Sequence, residues 1–184
     1  MRRKDRTCTL LEKASPPSLG AVCVLSLLLG CTVPLNPGAP QVDPAAFRSL
    51  VLPAVVDLQG LYDYRGSRVQ SLPGGNRVDV DYDEFTNAVV QGIATALRAR
   101  GSEIDAGADK TIRVRVVRIA IGHPTMTCTL DLNLQYGGAS GRGLQVAATH
   151  FLFDRACEQA VSDAVNGILN ESRLQTYLSA TSEG

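Results

Sequence analysis

Residues Met126–Tyr136 (MTCTLDLNLQY) alternate without a break. Met126, Cys128, Leu130, Leu132, Leu134 and Tyr136 fall on one side, and Thr127, Thr129, Asp131, Asn133 and Gln135 on the other. That period of two belongs to a strand with one buried and one solvated face. A solvated face in turn implies an antiparallel sheet covered on one side only. Downstream, Gly137–Gly143 (GGASGRG) reads as a turn into a further strand, Leu144–Leu152. Upstream, Lys110–Ile121 alternates too, with Ile112, Val114 and Val116 inward and Arg113 and Arg115 outward. The phase then slips at Val116-Val117, the signature of a β-bulge, after which Val117, Ile119 and Ile121 take over the apolar face.

Two stretches switch to the helical period. Asp83–Arg100 places Phe85, Ala88, Val89, Ile93, Ala96 and Leu97 on one stripe, with Asp83 suited to the N-cap and Gly101 to the position after the C-cap. A second helix runs from a cap at Asp154 to about Asn170 and turns Cys157, Ala160, Val161, Ala164, Val165, Ile168 and Leu169 inward. Ser172–Leu178 either continues it or forms a short extra turn. Before the first helix, Leu50–Leu58 is an apolar strand whose first half Pro53 pushes to an edge. Arg65–Gln70 and Arg77–Val80 flank Pro73–Asn76 as a short hairpin. The expected fold is α+β: a two-layer β-α-β-β-β-α sandwich, mostly antiparallel, with two helices on one face.

The 184 residues carry 18 basic and 18 acidic groups, a balance that gives no electrostatic reason to bind nucleic acid. The balance conceals a split. Residues 1–30 hold five basic groups (Arg2, Arg3, Lys4, Arg6, Lys13) against Asp5 and Glu12, and the remainder holds thirteen against sixteen. A basic start followed by the apolar run Leu19–Leu29 is the plan of a secretory signal. A short transmembrane anchor and a cleaved, unlipidated signal are the alternatives, and all three place the domain outside the cytoplasm.

Leu28-Leu29-Gly30-Cys31 resembles the lipobox of bacterial lipoproteins, with Leu29 in place of the commoner small residue. The resemblance implies that Cys31 becomes a lipidated N-terminus, palmitate among its acyl chains, held in a membrane by two or more chains. Thr32 after the cysteine implies the outer membrane, facing the periplasm, with an inner-membrane anchor or a soluble periplasmic protein as alternatives. Residues 31–46, with Pro34, Pro37, Pro40 and Pro44, read as an extended Pro-rich tether reaching up to roughly 45 Å. Residues 47–184 then form the periplasmic domain.

Of five cysteines, Cys8 and Cys23 leave with the leader and Cys31 is the lipid site. Cys128 and Cys157 remain, an even number for an oxidising compartment. If the glycine-rich turn joins its strands antiparallel, Cys128 faces roughly residue 152 and points toward the helix that carries Cys157. A disulfide between them is therefore expected, two separately buried thiols being the alternative.

Catalytic signals are sparse. GGASGRG joins two strands and lacks the strand-to-helix context of a nucleotide loop. His123 and His150 are the only histidines, and no HExxH or clustered Cys/His spacing occurs. Asp79, Asp81, Asp83 and Glu84 (DVDYDE) suit a helix N-terminus better than a calcium loop. No metal, cofactor or catalytic residue is expected. Arg113, Arg115 and Arg118 form a basic stripe on the outer sheet face, either a solvated face or a surface for a partner.

The lipobox, the proline segment and the element order resemble small Gram-negative lipoproteins: the YajG-like group, with LptE-type assembly lipoproteins and ABC-transport auxiliary lipoproteins as architectural relatives. The residues that carry this are DEFTNAVVQGIATALRARG, RVRVVRI and ACEQAVSDAVNGILNESRLQTYL. The resemblance implies a non-enzymatic envelope module that binds an assembly or transport partner. A carrier holding a lipid or other amphiphile between helices and sheet is the alternative. An envelope hydrolase is a third class, which would need Ser, His and Asp to converge.

Overall fold

The structure is a computed structural model that describes residues 32–42, 54–62, 67–72, 77–122, 125–138 and 141–180. Residues 1–30, read above as a leader, Cys31, residues 43–53, the expected 73–76 turn and His123 lie outside the described residues. Along the chain come β1 (Thr32–Leu35), β2 (Val55–Gly60), β3 (Arg68–Ser71), β4 (Arg77–Val80) and helix α1 (Tyr82–Ala99). Then follow β5 (Glu103–Ile104), β6 (Lys110–Gly122), β7 (Thr127–Tyr136), β8 (Arg142–Thr149), α2 (Phe153–Leu169) and α3 (Ser172–Ser179).

The unbroken alternation makes β7 an interior strand of a five-stranded sheet ordered β5-β2-β6-β7-β8. It pairs antiparallel with β6 and β8, whereas β2 lies parallel to both β5 and β6. The α+β two-layer arrangement is as expected, but the sheet is more mixed. The parallel β2–β6 pair requires the α1 crossover between them. Helix α1 packs on β2 and β6, α2 packs on β7 and β8, and the helices touch each other. Leu130, Leu132 and Leu134 of β7 are buried with Phe85, Ile93 and Leu97 of α1 and Val161, Val165 and Ile168 of α2. Ala156, Ala160 and Ala164, all fully buried, bring the α2 backbone close to the sheet.

The β6 bulge falls where the sequence places it: Val116 faces Leu132, Arg118 faces Asp131, and Val117 is the extra residue. Val117 itself is exposed rather than apolar-inward. Ile119 returns to the core.

Helix ends differ in detail. The α1 N-cap is Asp81, not Asp83. Asp81 is extended, and its carboxylate accepts the N–H groups of Asp83 (2.8 Å) and Glu84 (3.3 Å), leaving those two acids in the first turn. At the other end Gly101 adopts φ +82°. Gly101 N–H reaches Arg98 O at 2.9 Å and Ser102 N–H reaches Leu97 O at 3.0 Å, a Schellman closure that needs the glycine. Helix α2 starts at Phe153 after Leu152 without a side-chain cap, so Asp154 lies inside its first turn. Strand β8 ends at Thr149, and Cys128 pairs with Ala148 instead of residue 152. The helix nevertheless brings Cys157 over β7. Cys128 and Cys157 are joined as a disulfide with Cα atoms 5.0 Å apart.

The largest departure concerns the expected tether. Its residues 32–42 lie on the domain. Strand β1 pairs parallel with β4, which pairs antiparallel with β3, giving a second sheet ordered β1-β4-β3. Leu35 is 3% exposed opposite the fully buried Val80. Pro34, lacking an N–H, is tolerated because β1 is an edge strand. The chain then descends over the helix pair. Gln41 N–H donates to Ser162 Oγ (2.9 Å), and a Cβ built on Gly92 would sit 2.8 Å from Pro40 and 2.7 Å from Val165. Gly92 is thus the gap that lets Pro40 and α2 approach α1.

Strand β2 stops at Gly60, opposite Val114, so the second half of β6 has no neighbour from β2. Side chains supply its partners. Thr86 Oγ accepts the buried Val116 N–H (3.0 Å) while donating to Tyr82 O (2.9 Å). Gln70 Nε2 donates to Ile119 O at 2.7 Å. Removing such an acceptor leaves a buried donor unsatisfied, at a cost of about 1–3 kcal/mol. Thr86→Val keeps the shape and removes the acceptor. It is expected to lower the urea midpoint by that free energy at unchanged slope. Reduction of the Cys128–Cys157 bridge is expected to cost about 2–4 kcal/mol, read as a drop in Tm on adding dithiothreitol.

Candidate functional site: the polar face of the sheet

One face of the five-stranded sheet carries the helices and the other carries polar side chains in register. Gln59 of β2 faces Arg113 of β6, Arg113 faces Gln135 of β7, Arg115 faces Asn133, and Arg118 faces Asp131. Beyond them Asp131 faces Gln145 of β8, and Thr127 faces Thr149. The bulge is what keeps the stripe together. Without the extra residue at Val117, Arg118 would point into the core with Ile112 and Val116. Arg113, Arg115 and Arg118 therefore do share one face.

These cations are engaged across the strands. Asp57, 7% exposed, accepts from Gln59 Nε2 (2.6 Å), and Gln59 Oε1 accepts from Arg113 Nε (3.0 Å). Asp131 accepts from Gln145 Nε2 (2.7 Å) and lies 3.6 Å from the Arg118 guanidinium. Arg115 is half-buried. Arg118 thus meets Asp131 directly, and Arg113 reaches Asp57 through the Gln59 amide. The result is a flat, mixed-charge hydrogen-bonding surface rather than a positive stripe for phosphate. Sequence reasoning placed Asp131 and Gln135 on it. It missed Asp57, which sits in a run read only as apolar, and Gln145, whose partner depends on a register the sequence left four residues adrift.

At the end of the sheet where β7 finishes, Asp109, Thr111, Arg113, Gln135, Gly137 and Tyr177 line a cleft of about 350 Å³. Tyr177 of α3 holds its rim: its hydroxyl accepts Thr111 N–H (2.9 Å), and its ring lies 5.7 Å from Tyr136. Nearby, Arg142 and Tyr136 converge on Glu171. Hydrogen bonding with Tyr136, and then the Glu171 charge, hold the Arg142 guanidinium above its ordinary pKa.

His150 lies elsewhere. Its Nδ1 accepts Leu152 N–H (3.1 Å), and its ring packs 4.1 Å from that of Phe151. It shares a cleft of about 260 Å³ with Ser162 and Glu158. The Ser162 hydroxyl there donates to Glu158 O (2.9 Å) and accepts from Gln41 N–H. Ser162 thereby holds the N-terminal segment against α2. Among the described residues no group of three or more His, Cys, Asp or Glu side chains is placed to hold a metal, and no helix is long and apolar enough to cross a membrane.

No family model matches the chain, and no curated protein matches it. Among solved structures it is similar to protein XCC0632 from Xanthomonas campestris, of family DUF330, with a TM-score of 0.55 and 12% identity over 79% of this chain and 95% of that one. At that identity the likeness is one of fold.

Proposed function

We propose that the protein is a lipid-anchored envelope module, exported to the periplasmic side of the outer membrane, that acts by binding a protein partner in assembly or transport. The open sheet face is the observation that carries the binding reading. Arg113, Arg118, Gln145 and Thr149 are exposed on it, beside half-buried Thr129, Asp131, Asn133 and Gln135. Links between strands hold part of it, Arg113 to Gln59, Gln145 and Arg118 to Asp131, and Thr149 to Thr127, and the preorganisation of these side chains lowers the entropy lost on association. Surface binding is favoured over carriage of an amphiphile because the space between helices and sheet is occupied by Cys157, Val161, Val165 and Ile168 against the β7 leucines. The anchor rests on Leu28-Leu29-Gly30-Cys31 and the basic leader.

Two experiments test the two halves. Cys31→Ser is expected to leave the precursor uncleaved, larger by residues 1–30, and to abolish incorporation of a palmitate analogue. Unchanged size and labelling would reject lipidation. For the face, a photo-crosslinking residue at Arg113, Thr129 or Asn133 is expected to give a discrete adduct in intact cells. The same residue at Gln91, on the outer side of α1, should give none. Equal adducts from both sides would reject the sheet face as the docking surface.

A further inference from the structure

Helices α1 and α2 start at the same end of the molecule. Helix α1 leads to β5, which pairs with the first residues of β2, so the α1 N-terminus lies toward the far end of β2 and β6. The last residue of β8, Thr149, pairs with Thr127, and Thr127 pairs with Gly122 at the end of β6. The turn into α2 is therefore at that end too. The N-terminal segment enters there: Leu35 pairs with Val80, next to the Asp81 cap of α1. Residue 31 is four residues before the buried Leu35, a reach of about 13 Å for an extended chain. An anchor at Cys31 would hold this end close to the bilayer.

At the same end the turn from β8 to α2 presents two adjacent bulky apolar side chains to solvent. Phe151 is 74% exposed, more than any other large apolar residue among those described, and Leu152 is 51% exposed. The turn is not loose. His150 packs on the Phe151 ring and accepts Leu152 N–H, and Leu152 O accepts Ala156 N–H (3.0 Å) in the first turn of α2. Two adjacent bulky apolar side chains held outward at the end nearest the anchor present a small apolar protrusion of the kind that inserts Phe and Leu at the headgroup–acyl boundary. Asp154 and Arg155 are both exposed beside them, and Arg155 is paired with Glu158, so the charges flanking the pair carry no net positive excess.

We infer that Phe151 and Leu152 form a second, non-covalent membrane contact that dips into the bilayer interface and fixes the orientation of the anchored domain. This rests on the Cys31 anchor. The chain contains no tryptophan, so a single introduced one reports its own environment. The lipidated mature Phe151→Trp protein, on phosphatidylcholine vesicles, is expected to show blue-shifted emission that is mostly lost when the acyl chains are brominated. The Val55→Trp protein, with its probe at the opposite end of the sheet, is expected to keep its emission. Vesicle flotation separates the two readings. Protein that floats with an unquenched Trp at position 151 overturns the contact but not the anchor, and points to a protein covering the turn instead. Equal quenching at both positions overturns the fixed orientation. Protein that does not float overturns the anchor and the contact with it.

Discussion

Strand β6 has thirteen residues and its parallel neighbour β2 has six, and much of the molecule is organised by that mismatch. An interior strand that outruns its partner exposes N–H and C=O groups that must find other partners once buried. Thr86 answers for Val116 from the helix side, and Gln70 answers for Ile119 from β3. Thr86 can do so only because α1, capped by Asp81, carries its opening turns across β6. Gln70 can do so only because β3 is held by β4, which β1 flanks on its other side. The small sheet, the helix start and the docked N-terminal segment are thus linked through one unpaired strand edge.

What the sequence made legible follows the range of each signal. The alternation in β7, the stripe in α1 and the bulge at Val117 are local, and each element appears within a residue or two of where it was read. Strand β1 was not legible. Its partner is β4, some 45 residues away, and Pro34 and its neighbouring prolines read as tether because nothing local shows that Leu35 meets Val80. The α1 N-cap was misplaced for a related reason, whereas Gly101 closes the helix where it was read. DVDYDE offers several acids that could accept the first N–H groups, and the extended backbone at Asp81 decides among them.

The polar face was half legible. Alternation assigns Arg113, Asp131 and Asn133 to the outside, but which charges meet depends on interstrand register. The bulge shifts that register by one on β6, and β8 ends three residues earlier than its apolar composition suggests. The arginines read alone as a basic stripe become, beside Asp57 and Asp131, members of a mixed network. Opposite charges placed across strands contribute roughly 0.2–1 kcal/mol each. Their larger effect is to hold long side chains in place, which makes a flat surface specific without making it sticky.

The docked N-terminal segment changes what an anchor at Cys31 would do. A free tether over residues 31–46 would let the domain sample every orientation over tens of ångströms, and a partner would have to find it. With β1 paired to β4 and Pro40 seated at Gly92, residues 32–42 are part of the domain and would add no free length between it and an anchor at Cys31. The polar sheet face would then be presented at a limited set of angles to the membrane. Restricting rotation before encounter lowers the entropy lost on binding, so the same surface would associate more tightly with a partner that is itself fixed in the bilayer than with one diffusing in solution.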